Sequence, residues 1–451
     1  METLTQKMSQ FIFDSKLSDI PPKVVEKAKT CLLYGMGMAI TSWNMPLPKR
    51  TREWIEKFEP GSDITLIGGG KASLMGAAFV NGVLFADRGV DDTHGTTHFG
   101  SVVIPAALAV SEFTGAGGKD FLLSVILGYE IGAAVSRELT TFSALRGFRS
   151  STIYGILAVT AAMSKLFKYP ADRIRDALGI AVSFAGGTTE QYLAGTMEGK
   201  VQNAMVVRNG IMAALLPSFG LTGASTSMEG KAGFCHAFAG RLENLGKITE
   251  GLGKTYEILN VTFKPYATCV FNQTPVTAMF RLVAKHDLKP ENVAKIHIRM
   301  NPFDYKYPGI HYLGPFHNKR QGLLSAGFLM ALVLVKRKVG LSDDYPLEDP
   351  DILSLCQATA ITSDARIAPL SCHLTVKLKN SQTVEEVMDI KPEYYNFDLE
   401  KVTKMVETVH QEMMVDRRVT REMIQQMTAI ETWPNVRKLM ELLSLHKEAV
   451  K

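Results

Sequence analysis

At 451 residues, with 46% hydrophobic and 21% charged side chains, the chain has material for more than one globular domain and no difficulty in burying a core. Its 50 basic and 45 acidic residues leave a formal charge of +5, and apart from short runs such as Lys-Arg-Lys at 336–338 the two signs are interspersed, which excludes the clustered basic stripe of a nucleic-acid binder. The five cysteines, Cys31, Cys235, Cys269, Cys356 and Cys372, are far apart and form no CxxC pair, so a disulfide framework and a zinc knuckle are both disfavoured and a reducing compartment fits.

The first residues mix acids, bases and apolar side chains at helical spacing, without the apolar run and small-residue cleavage site of a signal peptide. From Pro21, Val24, Val25, Ala28, Cys31 and Leu32 recur with a period of 3.6, and the paired prolines suit a helix start. The same reading predicts helices at 73–87, 102–115, 119–139, 151–167, 171–187 and 205–220, several apolar nearly all round and carrying Gly or Ala on the packing face. After about residue 260 the period changes. Ile296, Ile298 and Met300 alternate, as do Leu374, Val376 and Leu378, which predicts half-buried strands. Between them lie an apolar helix at 322–335, too short to span a bilayer, and a shorter helix near 349–358. Amphipathic helices return from about 398. The expected fold is mainly α: a large helical domain over 1–262, a smaller α+β domain over 263–399, and a segment 400–451 that packs back on the first or caps the second. The protein is expected to be soluble and cytoplasmic, with no membrane and no nucleic-acid partner.

Residues 89–109, GVDDTHGTTHFGSVVIPAALA, place Asp91, Asp92, His94 and His98 on a Gly/Thr-rich loop ahead of a buried helix. Only threonines supplement them as ligands, so no metal is expected. Two readings stand: an acid–base centre, where desolvation and neighbouring charge tune a His or carboxylate, or an Asp that caps the following helix. IGGGKAS at 67–73 has Thr65 and Ala72 where a phosphate loop needs Gly and Ser or Thr, and reads as a Gly-rich turn into a helix. GTMEGKVQN at 195–203 sets Glu198, Lys200 and Gln202 on a loop before a buried helix. KPYATCVFNQ at 264–273 sets Lys264, Tyr266, Cys269 and Gln273 at the domain boundary, where a lysine in an apolar, Pro-bent stretch is a candidate for binding an anion. Cys269 has no local His partner and reads as a core thiol before a nucleophile.

In order and spacing, AAFVNGVLFADRGVDDTH, HFGSVVIPAALAVSE, GKDFLLSVILGYEI, RNGIMAALLPSFGLTGASTSMEGKAGF and KPYATC resemble the MmgE/PrpD family along nearly the whole chain. The resemblance implies a helical domain with a smaller α+β lid domain, a homodimer, and a cofactor-free active site in the cleft between the domains that acts on small di- and tricarboxylic acids. The implied chemistry is removal of a proton beside a carboxylate, or loss of CO₂, followed by elimination or reprotonation.

Carried over by position, Asp91 and Asp92 remain from the family's Asp-x-Asp-Asp, with Gly89 in place of the first aspartate, and His98 is kept. Arg149 stands for a family histidine and Gln202 for another, and the family lysine is either shifted by one to Lys200 or lost at Gly199. Lys264 is kept, Cys269 takes a position that is histidine in the decarboxylase, and Gln273 replaces a further histidine. The resemblance therefore implies catalytic roles for His98, Asp91 and Lys200, with His98 or Asp91 as the remaining acid–base group, and substrate contacts from Asp92, Arg149, Gln202, Lys264, Tyr266, Cys269 and Gln273; no cofactor is expected. The expected activity is a lyase of dehydratase or decarboxylase type. An epimerase or double-bond isomerase on a similar substrate is the alternative, and a non-catalytic ligand-binding or scaffolding dimer is the alternative of another class.

Overall fold

The computed structural model describes residues 2–341 and 345–444, and the end of the C-terminal segment, 445–451, lies outside the described residues. The fold is mainly α, with one four-stranded sheet in the C-terminal half. The chain divides into two compact units. The first comprises the chain to Thr188, 198–263 and the chain from Phe397; the second comprises 189–197 and 264–396.

The helical unit is built on α1 (Pro22–Ile40), α2 (Leu74–Asp87), α3 (Gly100–Thr114), α4 (Gly118–Leu145), α5 (Gly155–Leu166), α6 (Ala171–Ser183) and α7 (Glu198–Leu215). Pro22 opens α1 with a φ already set for a helix and no amide left unpaired. Ser73 caps α2 by accepting the Gly76 amide at 3.1 Å, and α3 ends on left-handed Gly115, whose amide returns to the Ser111 carbonyl. Almost every residue of α3 is buried, which is why its sequence is apolar all round.

Two predicted helices are interrupted. The span 151–167 is Ser150–Ile153 followed by α5, with the break at Tyr154. The span 322–335 is Lys319–Leu324 followed by Ala326–Lys336, because Ser325 turns extended and its Oγ accepts the Phe328 amide at 3.1 Å, starting a new helix. A third reading needs correction: Lys200 and Gln202 are not on a loop but in the first turns of α7, which begins at Glu198, an acid placed favourably at a helix N-terminus. The Gly-rich stretch at 67–73 closes a hairpin between Ile64–Thr65 and Lys71–Ala72, with Gly68, Gly69 and Gly70 all at positive φ.

The second unit holds α8 (Gln273–His286), β1 (Val293–Met300), β2 (Thr359–Ser363), β3 (Cys372–Leu378) and β4 (Thr383–Met388), in sheet order β2-β1-β3-β4. β1 runs parallel to β2 and antiparallel to β3. Ile296, Ile298, Met300, Leu374 and Val376 turn to a core shared with Val276, Met279 and Leu282 of α8 and with Phe328–Leu334. Among the described residues no helix is long and apolar enough to cross a membrane.

Gly118 begins α4 against the C-terminal segment, where its amide donates to the Trp433 carbonyl at 3.0 Å. A Cβ there would lie 1.7 Å from the Ile430 carbonyl oxygen, a backbone atom with no rotamer in which to retreat. Gly118→Ala is expected to lower stability by about 3 kcal/mol, the upper end of an overpacking cost. Denaturant unfolding would measure it, and an unchanged midpoint would mean that the 430–433 segment is not held there.

Candidate functional site

The loop between α2 and α3 is pinned on several sides. Thr93 and Thr262 exchange backbone hydrogen bonds in both directions at 2.8 Å, and their hydroxyls meet at 2.7 Å. The Thr96 carbonyl accepts the Ser150 hydroxyl at 2.8 Å, and the His98 amide donates to Ser151 Oγ at 3.0 Å. On the other side of His98, Ser101 Oγ donates to the His98 carbonyl at 2.9 Å and itself accepts Asn203 Nδ2 of α7 at 2.8 Å.

His98 carries the clearest chemical asymmetry. Its Nδ1 lies 2.9 Å from the Asp92 carbonyl oxygen and 3.5 Å from Asp91 Oδ1. A carbonyl can only accept, so Nδ1 carries the proton and Nε2 is the basic nitrogen of the neutral ring. The side chain is 14% exposed, sheltered but within reach of a ligand.

Asp92 is engaged within the fold. At 3% exposure, its Oδ1 accepts the Gly100 amide at 3.0 Å, capping α3, and its Oδ2 accepts the Tyr129 hydroxyl. Burial pushes its carboxyl up to about 6 against the pull of those two bonds, and burial likewise pushes the Tyr129 hydroxyl well up. Lys27 of α1, lowered by its own burial, adds a positive charge nearby.

Around α7 the predicted residues come together. Arg149, buried at 8% exposure, directs Nη1 to the Gly199 carbonyl and, at 3.4 Å, to Gln202 Oε1, while Gln202 Nε2 donates to the Thr188 carbonyl at 3.3 Å. Lys200 Nζ donates to Asp87 Oδ1 at 2.9 Å, at the C-terminal end of α2. Asp87 is 1% exposed and Lys200 29%, and Asp87 Oδ2 is buried without a hydrogen-bond partner.

His94, four residues from His98, points elsewhere. Its Nε2 meets Glu257 Oε2 at 2.9 Å, Arg137 Nη1 donates to Glu257 Oε1, and the His94 contact first, with Arg137, holds the Glu257 carboxyl down to about 2. Beneath them Glu130 accepts the amides of Glu257 and Ile258 at 2.8 and 2.9 Å, and burial pushes it up to about 8. Among the described residues no three His, Cys, Asp or Glu side chains are grouped so as to hold a metal ion.

The other candidates lie in the second unit. Gln273 opens α8 and closes its own loop: Oε1 accepts the Tyr266 amide at 3.1 Å, and Nε2 donates to the carbonyls of Tyr266, Thr268 and Cys269 at 3.0 to 3.3 Å. At 1% exposure it is a backbone clip. Tyr266 stacks on Phe280 at 5.4 Å, and burial pushes the Cys269 thiol up to about 11, so it stays protonated at neutral pH. Lys264 is buried at 5% exposure.

Sequence reading missed Asp87, Tyr129, Glu130, Asn203 and Glu257. For Glu130 a signal existed: it is the one charged residue between Phe121 and Val135.

The model of the MmgE/PrpD N-terminal domain matches residues 6–244, and that of the C-terminal domain matches 266–393. The chain is 27% identical over 416 residues to the cis-aconitate decarboxylase-like protein oryM of Aspergillus oryzae, covering 85% of this chain and 86% of that protein. It is 28% identical over 383 residues to a cis-aconitate decarboxylase of Aspergillus terreus, covering 78% and 77%. With the cis-aconitate decarboxylase of Homo sapiens it shares 26% identity over 242 residues, covering 52% and 50%.

Glu130 binds its proton more tightly folded than unfolded, so stability should fall as pH rises from about 4.5 toward 8. Glu257 has the opposite sign: its contribution is present above about 4.5 and is lost as pH falls toward 2. Glu130→Gln is expected to flatten the decline in unfolding midpoint across the upper window, measured by thermal unfolding at a series of pH values. An identical slope in the variant would assign the decline to another group.

Proposed function

The chain belongs to the MmgE/PrpD family, and we propose that it is a cofactor-independent lyase that removes CO₂ from a small di- or tricarboxylic acid, with His98 moving the proton. The observation that carries this reading is the His98 ring, held with its proton on Nδ1 by the Asp92 carbonyl and with the Asp91 carboxylate 3.5 Å away. A carboxylate near Nδ1 stabilises the imidazolium, which supports a ring that takes a proton on Nε2 and gives it back.

In a decarboxylation the bond between carbon and one carboxylate breaks heterolytically. CO₂ leaves, the electron pair stays on carbon and spreads into a conjugated carboxylate, and a proton from the imidazolium ends the reaction at carbon. The developing negative charge needs fixed positive groups. Arg149 and Lys200 stand at the first turns of α7, where the helix amides add positive potential, and a polycarboxylate brings the matching charge. The names of the relatives, cis-aconitate decarboxylases and a protein like them, support decarboxylation over dehydration.

The test is incubation of the purified protein with cis-aconitate, citrate and 2-methylcitrate in deuterated buffer, following CO₂ release and deuterium in the product. CO₂ release with one deuterium on the product carbon is expected. His98→Ala should lower turnover by about 100-fold or more with an unchanged unfolding midpoint. Deuterium exchange without CO₂ release would replace the lyase reading with an isomerase, and full turnover in His98→Ala would remove His98 from the reaction.

A further inference from the structure

The Asp92 carbonyl oxygen stands 2.9 Å from His98 Nδ1, nearer than Asp91 Oδ1 at 3.5 Å, and that carbonyl is one peptide from Thr93. Thr93 is locked to Thr262 through two backbone hydrogen bonds and a hydroxyl pair, so the acceptor is only as well placed as the 257–262 segment. Ile258 and Val261 of that segment are buried. Glu257 adds a polar grip, between His94 of the loop at 2.9 Å and Arg137 of α4, with Asn260 Nδ2 on the same carboxylate at 3.2 Å. Its amide and that of Ile258 are clamped by Glu130, and Arg137 Nη2 also reaches the Lys247 carbonyl at 2.8 Å.

We propose that Glu257 is a positioning residue for His98: by bridging His94 and Arg137 it fixes the 91–98 loop so that the Asp92 carbonyl keeps the proton on His98 Nδ1. The inference rests on the lyase reading for its kinetic consequence but not for its structural one. A cluster of buried charges costs more desolvation than apolar packing of the same volume, and its return is a single geometry, since each partner satisfies Glu257 in one place only. Glu257 itself lies between the two matched domains, and the groups it grips, His94 and Arg137, lie within the first.

The full chain labelled with ¹⁵N-histidine gives the tautomer of each of its ten histidines directly, and His98→Gln identifies the His98 signals by their loss. In the parent, His98 is expected as the Nδ1–H form. Glu257→Gln, which keeps the shape but not the charge, should convert it to a mixture of tautomers and lower kcat by about 10- to 100-fold, with KM changed by less than about threefold. Arg137→Gln, at a side chain one-third exposed and so less liable to prevent folding, should shift His98 the same way. Retention of the Nδ1–H pattern in either folded variant, or a fall in kcat that only tracks the folded fraction, overturns the proposal. The tautomer is read without substrate, so exchange without CO₂ release would sink the lyase reading, and full turnover in His98→Ala would remove His98 from the reaction, while this result stands or falls by itself.

Discussion

A carboxylate sealed from water must find its hydrogen bonds inside the protein, and Asp92 meets that demand in a way that organises everything near it. One oxygen takes the Gly100 amide and so decides where α3 begins; the other takes the Tyr129 hydroxyl and ties the loop to the middle of α4. Its backbone carbonyl is the acceptor for His98. One residue thus links helix start, loop path and imidazole tautomer. Its side chain works through structure and its main chain through chemistry, and a sequence motif that shows only two adjacent aspartates does not separate these tasks.

This is where the sequence was readable and where it stopped. The helical unit announced itself through period and composition, because α2, α3 and α5 are buried on nearly every face and their apolar runs have no other use. β1 and β3 were legible because each has one face on the core and one in solvent, which enforces alternation. β2 and β4 were not. They are the edge strands, and TAITS and TVEEVM carry no clean alternation because an edge packs against fewer neighbours. The breaks at Tyr154 and Ser325 were hidden for a related reason: a periodic pattern runs through a break whenever both halves bury the same face.

The site was legible in its conspicuous residues and opaque in their partners. His98, Asp91, Arg149 and Lys200 stood out by type and position; Asp87, 113 residues from Lys200, and Glu257, 163 from His94, did not. An ion pair distant in sequence leaves no local trace. Gln273 shows a task that the motif did not announce, since its side chain closes on four groups of its own loop. A side-chain amide has both donors and acceptors and is well suited to that closure, whereas a histidine in its place would have a single donor in its neutral form.

The exchange of a family histidine for Arg149 then acquires a physical meaning. A guanidinium that is 8% exposed beside the N-terminus of an 18-residue helix is placed against the helix dipole, and Lys200 adds a second positive group in the first turn. Asp87 and Glu198 offset part of that charge, and the Gly199 carbonyl takes one N–H of the guanidinium. Two cations beside a helix N-terminus favour an anion. An apolar residue at 149 would be the less costly choice where no anion comes, since replacing a buried charge by well-packed hydrocarbon is commonly neutral or better. A guanidinium there is what the proposed lyase requires: under that reading Arg149 binds and orients a carboxylate while His98 moves the proton.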